Sequence, residues 1–155
     1  MEERARKSKK NLRGFTLIEI MVVVVIIGML AALVGTRVFD MLEKGKRKTA
    51  IAQIKNLETA LAAYRLDNNR YPTTEQGLDS LVRAPTMEPV PRNYARNGYL
   101  TSKEVPVDPW DNPYVYFSPG LSGEDFTIIS YGADGVEGGE GDNADIDSGN
   151  LDGSK

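Results

Sequence analysis

The chain has 155 residues, 26% of them charged, and a formal net charge of −3, enough for one modest domain and an appendage. It contains no cysteine and no histidine, which excludes disulfides, thiolate or imidazole metal sites, and Ser–His or Cys–His catalytic pairs. A bound metal must therefore be held by oxygen, which selects hard ions such as calcium or magnesium.

The charge is unevenly placed. Residues 1–14 hold six Lys or Arg against two Glu, whereas from Gly123 onward nine acidic residues face one basic residue, Lys155. The front suits an anionic membrane leaflet and the tail suits a cation. The basic residues lack interleaved aromatics or a known motif, so nucleic acid is not an expected partner.

Phe15 to Val34 form a run of 20 residues in which Glu19 alone is charged. As a helix it would measure roughly 30 Å, the thickness of a bilayer's hydrocarbon core. The run is too long, too aliphatic and too terminal for the core helix of so small a domain. It also outlasts the apolar region of an ordinary secretory signal, and no A-x-A cut precedes a domain. Cations on both sides, from Arg4 to Arg13 and from Arg37 to Lys48, leave only a weak lean towards a cytoplasmic N-terminus. Glu19 is the anomaly. An acid at mid-bilayer costs about 2.5–3.5 kcal/mol even on lenient scales, and Arg13 lies six residues back, off its helical face. Either Glu19 snorkels to the interface or its partner belongs to another molecule.

No proline occurs from Val34 to Tyr71, and Ile51, Ile54, Leu57, Leu61 and Tyr64 recur at steps of three or four. That is the apolar stripe of an amphipathic helix ending by Asn68-Asn69. Read continuously, Phe15–Asp67 would span roughly 80 Å. Gly28, Gly35 and Gly45 each weaken such a helix by about 1 kcal/mol relative to alanine. Close helix–helix approach explains Gly28, while Gly35 fits either packing or local softness.

PTTEQGLDSLV (72–82) predicts a short helix, and residues 83–113, rich in Pro, Asn and Gly, an ordered irregular loop. Tyr114–Ser118 and Phe126–Tyr131 alternate around a turn-forming stretch, which predicts a β-hairpin. Trp110 and Tyr114 read as core residues. The expected fold class is α+β: a long N-terminal helix, half transmembrane and half amphipathic, packed on a small antiparallel sheet.

The last segment, YGADGVEGGEGDNADID (131–147), has the composition of a disordered acidic tail. Its glycines and aspartates are nevertheless punctuated as in a calcium loop, where carbonyls turn inward and aspartates supply charge. Neither the EF-hand nor the nonapeptide calcium pattern fits, and spacing alone does not choose between loop and tail.

Three strings carry a family resemblance. RGFTLIE (13–19) resembles the signal of type IV pilins and their relatives. This implies a cytoplasmic leader, 1–14, cut by prepilin peptidase between Gly14 and Phe15, with N-methylation of Phe15. A membrane and assembly helix, 15–35, and a periplasmic domain, 36–155, would follow. It further implies that Glu19 pairs with the new α-amine of Phe15, on a neighbouring subunit or its own. An α-amine with an ordinary pKa near 7.7–8.0 is largely cationic at neutral pH. YPTTEQGLDSLV and DPWDNPYVY resemble the major pseudopilins of type II secretion systems. Members carry a C-terminal calcium loop of the form GADG…NADI. The resemblance thus implies calcium held by Asp134 and Asp145, the carbonyls of Tyr131 and Val136, and Asp142 as a third side chain. Asp147 and Asp152 read as solvated charge.

The resemblance implies a structural subunit rather than an enzyme: a single-pass inner-membrane protein that polymerises into a periplasmic pseudopilus. Its partners would be copies of itself, minor pseudopilins, prepilin peptidase and the inner-membrane secretion platform. Energy would come from elsewhere, because the chain has no P-loop. The main alternative is a type IV pilin for adhesion, motility or DNA uptake, but those usually close a C-terminal loop with a disulfide. A minor pseudopilin, many of which lack the glutamate, and a membrane-anchored calcium-dependent binding module are further alternatives.

Overall fold

The computed structural model describes residues 14–151, except for the side chains of 33–36. The leader before Gly14, the surroundings of Gly35, and Asp152 therefore lie outside the described residues. The chain divides into two compact units, one ending at Asp40 and one beginning at Met41.

A single α-helix, α1, runs through Leu17–Asn68, 52 residues. Thr16 starts it: its side-chain oxygen accepts the amide of Glu19 at 3.3 Å, as an N-cap does for a first-turn donor left without an intrahelical partner. Among the described residues of the first unit no side chain is buried within the chain; Ile18 is 70% and Val24 62% exposed. The helix stops at Asn69, which adopts a left-handed conformation (φ 57°) and donates its amide to the Arg65 carbonyl at 2.7 Å. Asparagine tolerates that conformation, and Pro72 follows shortly after it.

In the second unit the stripe follows its expected spacing at Ile54, Leu57, Leu61 and Tyr64, while Ile51 is only half-buried and Ala50 takes the fully buried position beside it. Ala50, Ile54, Leu57, Leu61 and Tyr64 are fully buried and cluster with Leu81, Tyr116, Ile128 and Ile146. The sheet has order β1-β2-β3: β1 is Val115–Phe117, β2 Thr127–Ser130 and β3 Ile146–Asp147. Both pairings are antiparallel, with Tyr116 opposite Ile128 and Ser130 opposite Ile146. The hairpin is the expected one, trimmed at its ends. The third strand was not expected, because two residues inside an acidic stretch carry no alternation to read. Asp147, read from the sequence as solvated charge, lies half-buried in β3, and its Oδ1 accepts the amide of Gly149 at 2.6 Å in an exposed hydrogen bond.

The expected short helix is a turn followed by one 3₁₀ segment, Leu78–Leu81. Gln76 bonds the carbonyls of Met87 and Pro89, and Arg70 bonds those of Pro89 and Val90, so the irregular loop is ordered through its carbonyls. Tyr94 meets Tyr64 and Tyr99 edge to face at 6.4 and 5.3 Å between centroids, a geometry that aromatic quadrupoles favour, and Tyr64 and Tyr99 are tilted at 5.2 Å.

Replacing Leu57 by alanine should destabilise the second unit by about 2–5 kcal/mol, the usual range for opening a cavity in a packed core, measured by chemical denaturation in detergent. A second expectation concerns alkali. Burial pushes the Tyr116 hydroxyl, which donates to the Pro72 carbonyl at 2.9 Å, up to about 12. Because the folded value is raised, this stabilisation is intact below pH about 10 and is lost as pH rises towards 12. Melting temperature should fall over that window, and less steeply in Tyr116→Phe.

Candidate functional site

Two regions carry the candidate site residues. At the start of α1, Gly14 precedes the helix and Phe15 is 77% exposed. Thr16-Leu17-Ile18-Glu19 has the T-x-x-E pattern of a capping box, a local reason for this spacing that sequence reading had overlooked. The box is half made. Thr16 accepts from Glu19, but among the described residues the Glu19 carboxylate has no hydrogen-bond or ion-pair partner. An acid is therefore displayed on an exposed apolar helix, with its pairing capacity unused.

The second region is the loop after β2. Main-chain bonds close it on itself: the amide of Ala133 reaches the Asp142 carbonyl at 3.3 Å, and that of Asn143 the Glu140 carbonyl at 3.2 Å. The middle forms a 3₁₀ turn, Gly141–Asn143, before the chain enters β3. Gly132 (φ 63°) and Gly139 (φ 89°) have conformations that side chains resist. A Cβ at Gly132 would meet the Asn143 carbonyl group at 3.0 Å, and one at Gly139 would meet the Asn143 oxygen at 2.6 Å. These two glycines let opposite limbs of the loop touch.

Asp145 is the most enclosed of the candidate ligands. Its Oδ2 accepts the Gly138 amide at 2.9 Å, while its Oδ1 is buried with no hydrogen-bond partner. A buried carboxylate oxygen without a partner costs free energy unless a cation or donor meets it. Asp134 and Asp142 are exposed, and Asp134 Oδ1 caps the Val136 amide at 3.2 Å. No described hydrogen bond ends on the carbonyl of Tyr131 or Val136. Burial, then the negative charges of Glu137 and Asp145, push the Tyr131 hydroxyl upward. Among the described residues no three carboxylates converge at metal-binding distance. The fit to a hard cation thus rests on the orphaned Asp145 oxygen, unengaged carbonyls and an all-oxygen donor set.

The loop is braced by DPWDNP (108–113). Asp108, 2% exposed, accepts the amides of Trp110 and Asn112 on Oδ1 and the Ser130 hydroxyl on Oδ2 at 2.6 Å. Asn112 donates to the Gly132 carbonyl at 3.0 Å and packs so closely that a Cβ at Gly135 would meet its amide at 3.0 Å. Trp110 and Tyr114 do more than fill the core. The indole N–H donates to Glu43 at 2.9 Å, and the Tyr114 hydroxyl to Gln53 at 2.6 Å. No periodicity could have paired residues 67 and 61 positions apart.

Residues 37–149 match the family model described as type II secretion system (T2SS), protein G, and residues 9–35 match the prokaryotic N-terminal methylation motif. The chain belongs to the type II secretion system protein G family. It is 51% identical to the type II secretion system core protein G of Pseudomonas aeruginosa over 138 residues, covering 89% of this chain and 95% of that one. The Vibrio cholerae core protein G is 49% identical over 145 residues, 94% and 97% of the two chains. A crystal structure of the major pseudopilin of enterohaemorrhagic Escherichia coli superposes with a TM-score of 0.60 at 47% identity, over 68% of this chain and 87% of that one. The main reading of the sequence, a major pseudopilin, therefore stands, and the pilin alternative is not favoured.

For this protein G family member, the loop's dependence on backbone freedom is directly testable. Gly132→Ala should destabilise the second unit by roughly 1–3 kcal/mol, from strain at a positive φ combined with the carbonyl clash. Gly138→Ala, where a Cβ meets nothing within 4 Å, should bring only the cost of its positive φ. Paired thermal melts would check the order of the two.

Proposed function

We propose that the chain is the major structural subunit of a type II secretion pseudopilus, acting by polymerisation rather than catalysis. Prepilin peptidase would cut between Gly14 and Phe15 on the cytoplasmic face, and Phe15 would be N-methylated. The 15–35 helix would then hold the subunit in the inner membrane, with the domain in the periplasm. Assembly would join it to further copies, to minor pseudopilins and to the inner-membrane secretion platform, and fibre growth would drive folded proteins across the outer membrane.

The observation that carries this reading is an exposed membrane-length helix bearing a single carboxylate, Glu19, that has no partner among the described residues. In hydrocarbon that acid is expensive alone and tolerable when matched. Cleavage would supply the match, the α-amine of Phe15 on a neighbouring subunit or on its own. A Cβ at Gly28 would meet nothing within 4 Å, which leaves a flat spot where another helix can approach closely.

The loop would hold calcium through Asp145, with Asp134 and Asp142 and the carbonyls of Tyr131 and Val136 completing the set. The ion would supply positive charge that lets these acids share a loop without repulsion. The chain's own contribution is to present Asp145 at a buried position and to keep Gly132 and Asn143 in contact.

Glu19→Ala should still insert in the membrane but fail to form fibres, scored by carbonate extraction alongside pseudopilus shearing on overproduction. Normal fibres from that variant would overturn the assembly role. Separately, calcium should raise the melting temperature of the full chain in detergent relative to chelator, and Asp145→Ala should abolish that difference.

A further inference from the structure

Between Met41 and Thr49 the helix is almost bare. Met41 is 74% and Leu42 56% exposed, and Lys44, Gly45, Lys48 and Thr49 are exposed as well. The first fully buried residue of α1 in this unit is Ala50. Gly45 lowers the helix's intrinsic stability further, because glycine loses more backbone freedom than alanine on entering a helix. Two side-chain bonds fasten this stretch to the rest of the unit among the described residues: Glu43 to the Trp110 indole at 2.9 Å, and Arg47 to the Ala144 carbonyl at 3.1 Å. Glu43 and Arg47 are four residues apart and so lie on one face of the helix.

The Arg47 bond ends in the acidic loop, and the Glu43 bond ends on the turn that braces it. Ala144 directly precedes Asp145, whose Oδ1 is the orphaned oxygen. Trp110 lies in the same Asp108-centred turn as Asn112, which holds the Gly132 carbonyl. Arg47 also lines the cleft formed by Gly138, Gly139, Glu140 and Asp145. The Trp110 indole, followed by Lys46 at 3.1 Å, holds the Glu43 carboxyl below the usual carboxylate range, so this acceptor is charged at neutral pH.

We propose that Glu43 and Arg47 are positioning residues that couple cation binding in the 131–147 loop to docking of helix residues 41–49. With a cation held by Asp145, Arg47 would keep the Ala144 carbonyl in place beside it, and Asn112 would keep the Gly132 carbonyl through the turn that carries Trp110. The otherwise bare helical turns are then held at two points instead of fraying. Linkage makes the effect reciprocal: whatever docks those turns also tightens the loop's hold on the ion, by the same factor. The inference rests on the loop holding calcium, as proposed above.

Hydrogen exchange of the full chain in detergent micelles, with 1 mM calcium (about the range of weak extracellular sites) or with chelator, tests it. Calcium should slow amide exchange in peptides from 131–147 and also in those from 41–49, the latter by roughly 5- to 150-fold, the span of ordinary coupling factors. In Arg47→Ala and Trp110→Phe the 131–147 peptides should still respond while the 41–49 peptides no longer do, and Arg47→Lys should restore part of the response. Calcium affinity by calorimetry should weaken in Arg47→Ala. Should calcium protect 131–147 but leave 41–49 unchanged in the wild type, or protect 41–49 equally in both variants, the coupling is wrong and calcium binding stands. If calcium alters neither region and produces no binding heat, the calcium reading itself fails and the coupling with it.

Discussion

One helix has to satisfy two surroundings, and the rest of the structure follows from that constraint. From Leu17 to Ala32 no side chain is buried within the described residues, and apolar surface of that length calls for cover by lipid or by other helices. From Ala50 to Tyr64 the same helix is the floor of a core, with six of its side chains clustered with Tyr116, Ile128 and Ile146 of a three-stranded sheet. A sheet this small does not bury enough apolar surface to stand by itself. The helix supplies the missing face.

Outside that apolar core, the polar architecture converges on Asp108. A buried carboxylate is tolerated when donors fill its lone pairs, and here two amides and the Ser130 hydroxyl do so. The result is a rigid turn that aims Trp110 at the helix and Asn112 at the acidic loop. Loops rich in glycine and aspartate have little apolar area to hold them in place. This one is shaped by hydrogen bonds to its neighbours and by glycines that permit close backbone contact. Its order therefore depends on the DPWDNP turn as much as on its own residues.

Spacing and composition made much of this legible. The apolar run and its lone acid, the 3.6-residue stripe, the stop before Pro72 and the central hairpin all depend on patterns that repeat locally. The third strand, Ile146–Asp147, was not legible, because two residues cannot display a period and its pairing with β2 is a long-range event. The same holds for the hydrogen-bonded role of Asp147. Asp134, Asp142 and Asp145 look equivalent as letters, yet the fold encloses an oxygen of Asp145 and leaves the other two side chains exposed.

The sequence by itself determined the family, the membrane-length helix and the residues that carry charge into apolar surroundings. These depend on short-range periodicity, on composition and on contiguous strings. Only the tertiary structure decided that Glu43 meets Trp110, that Arg47 meets Ala144 and that Asn112 supports Gly132. Such contacts join residues 20 to 97 positions apart. Their geometry is set by how the helix, the turn and the loop pack together, which no local pattern encodes.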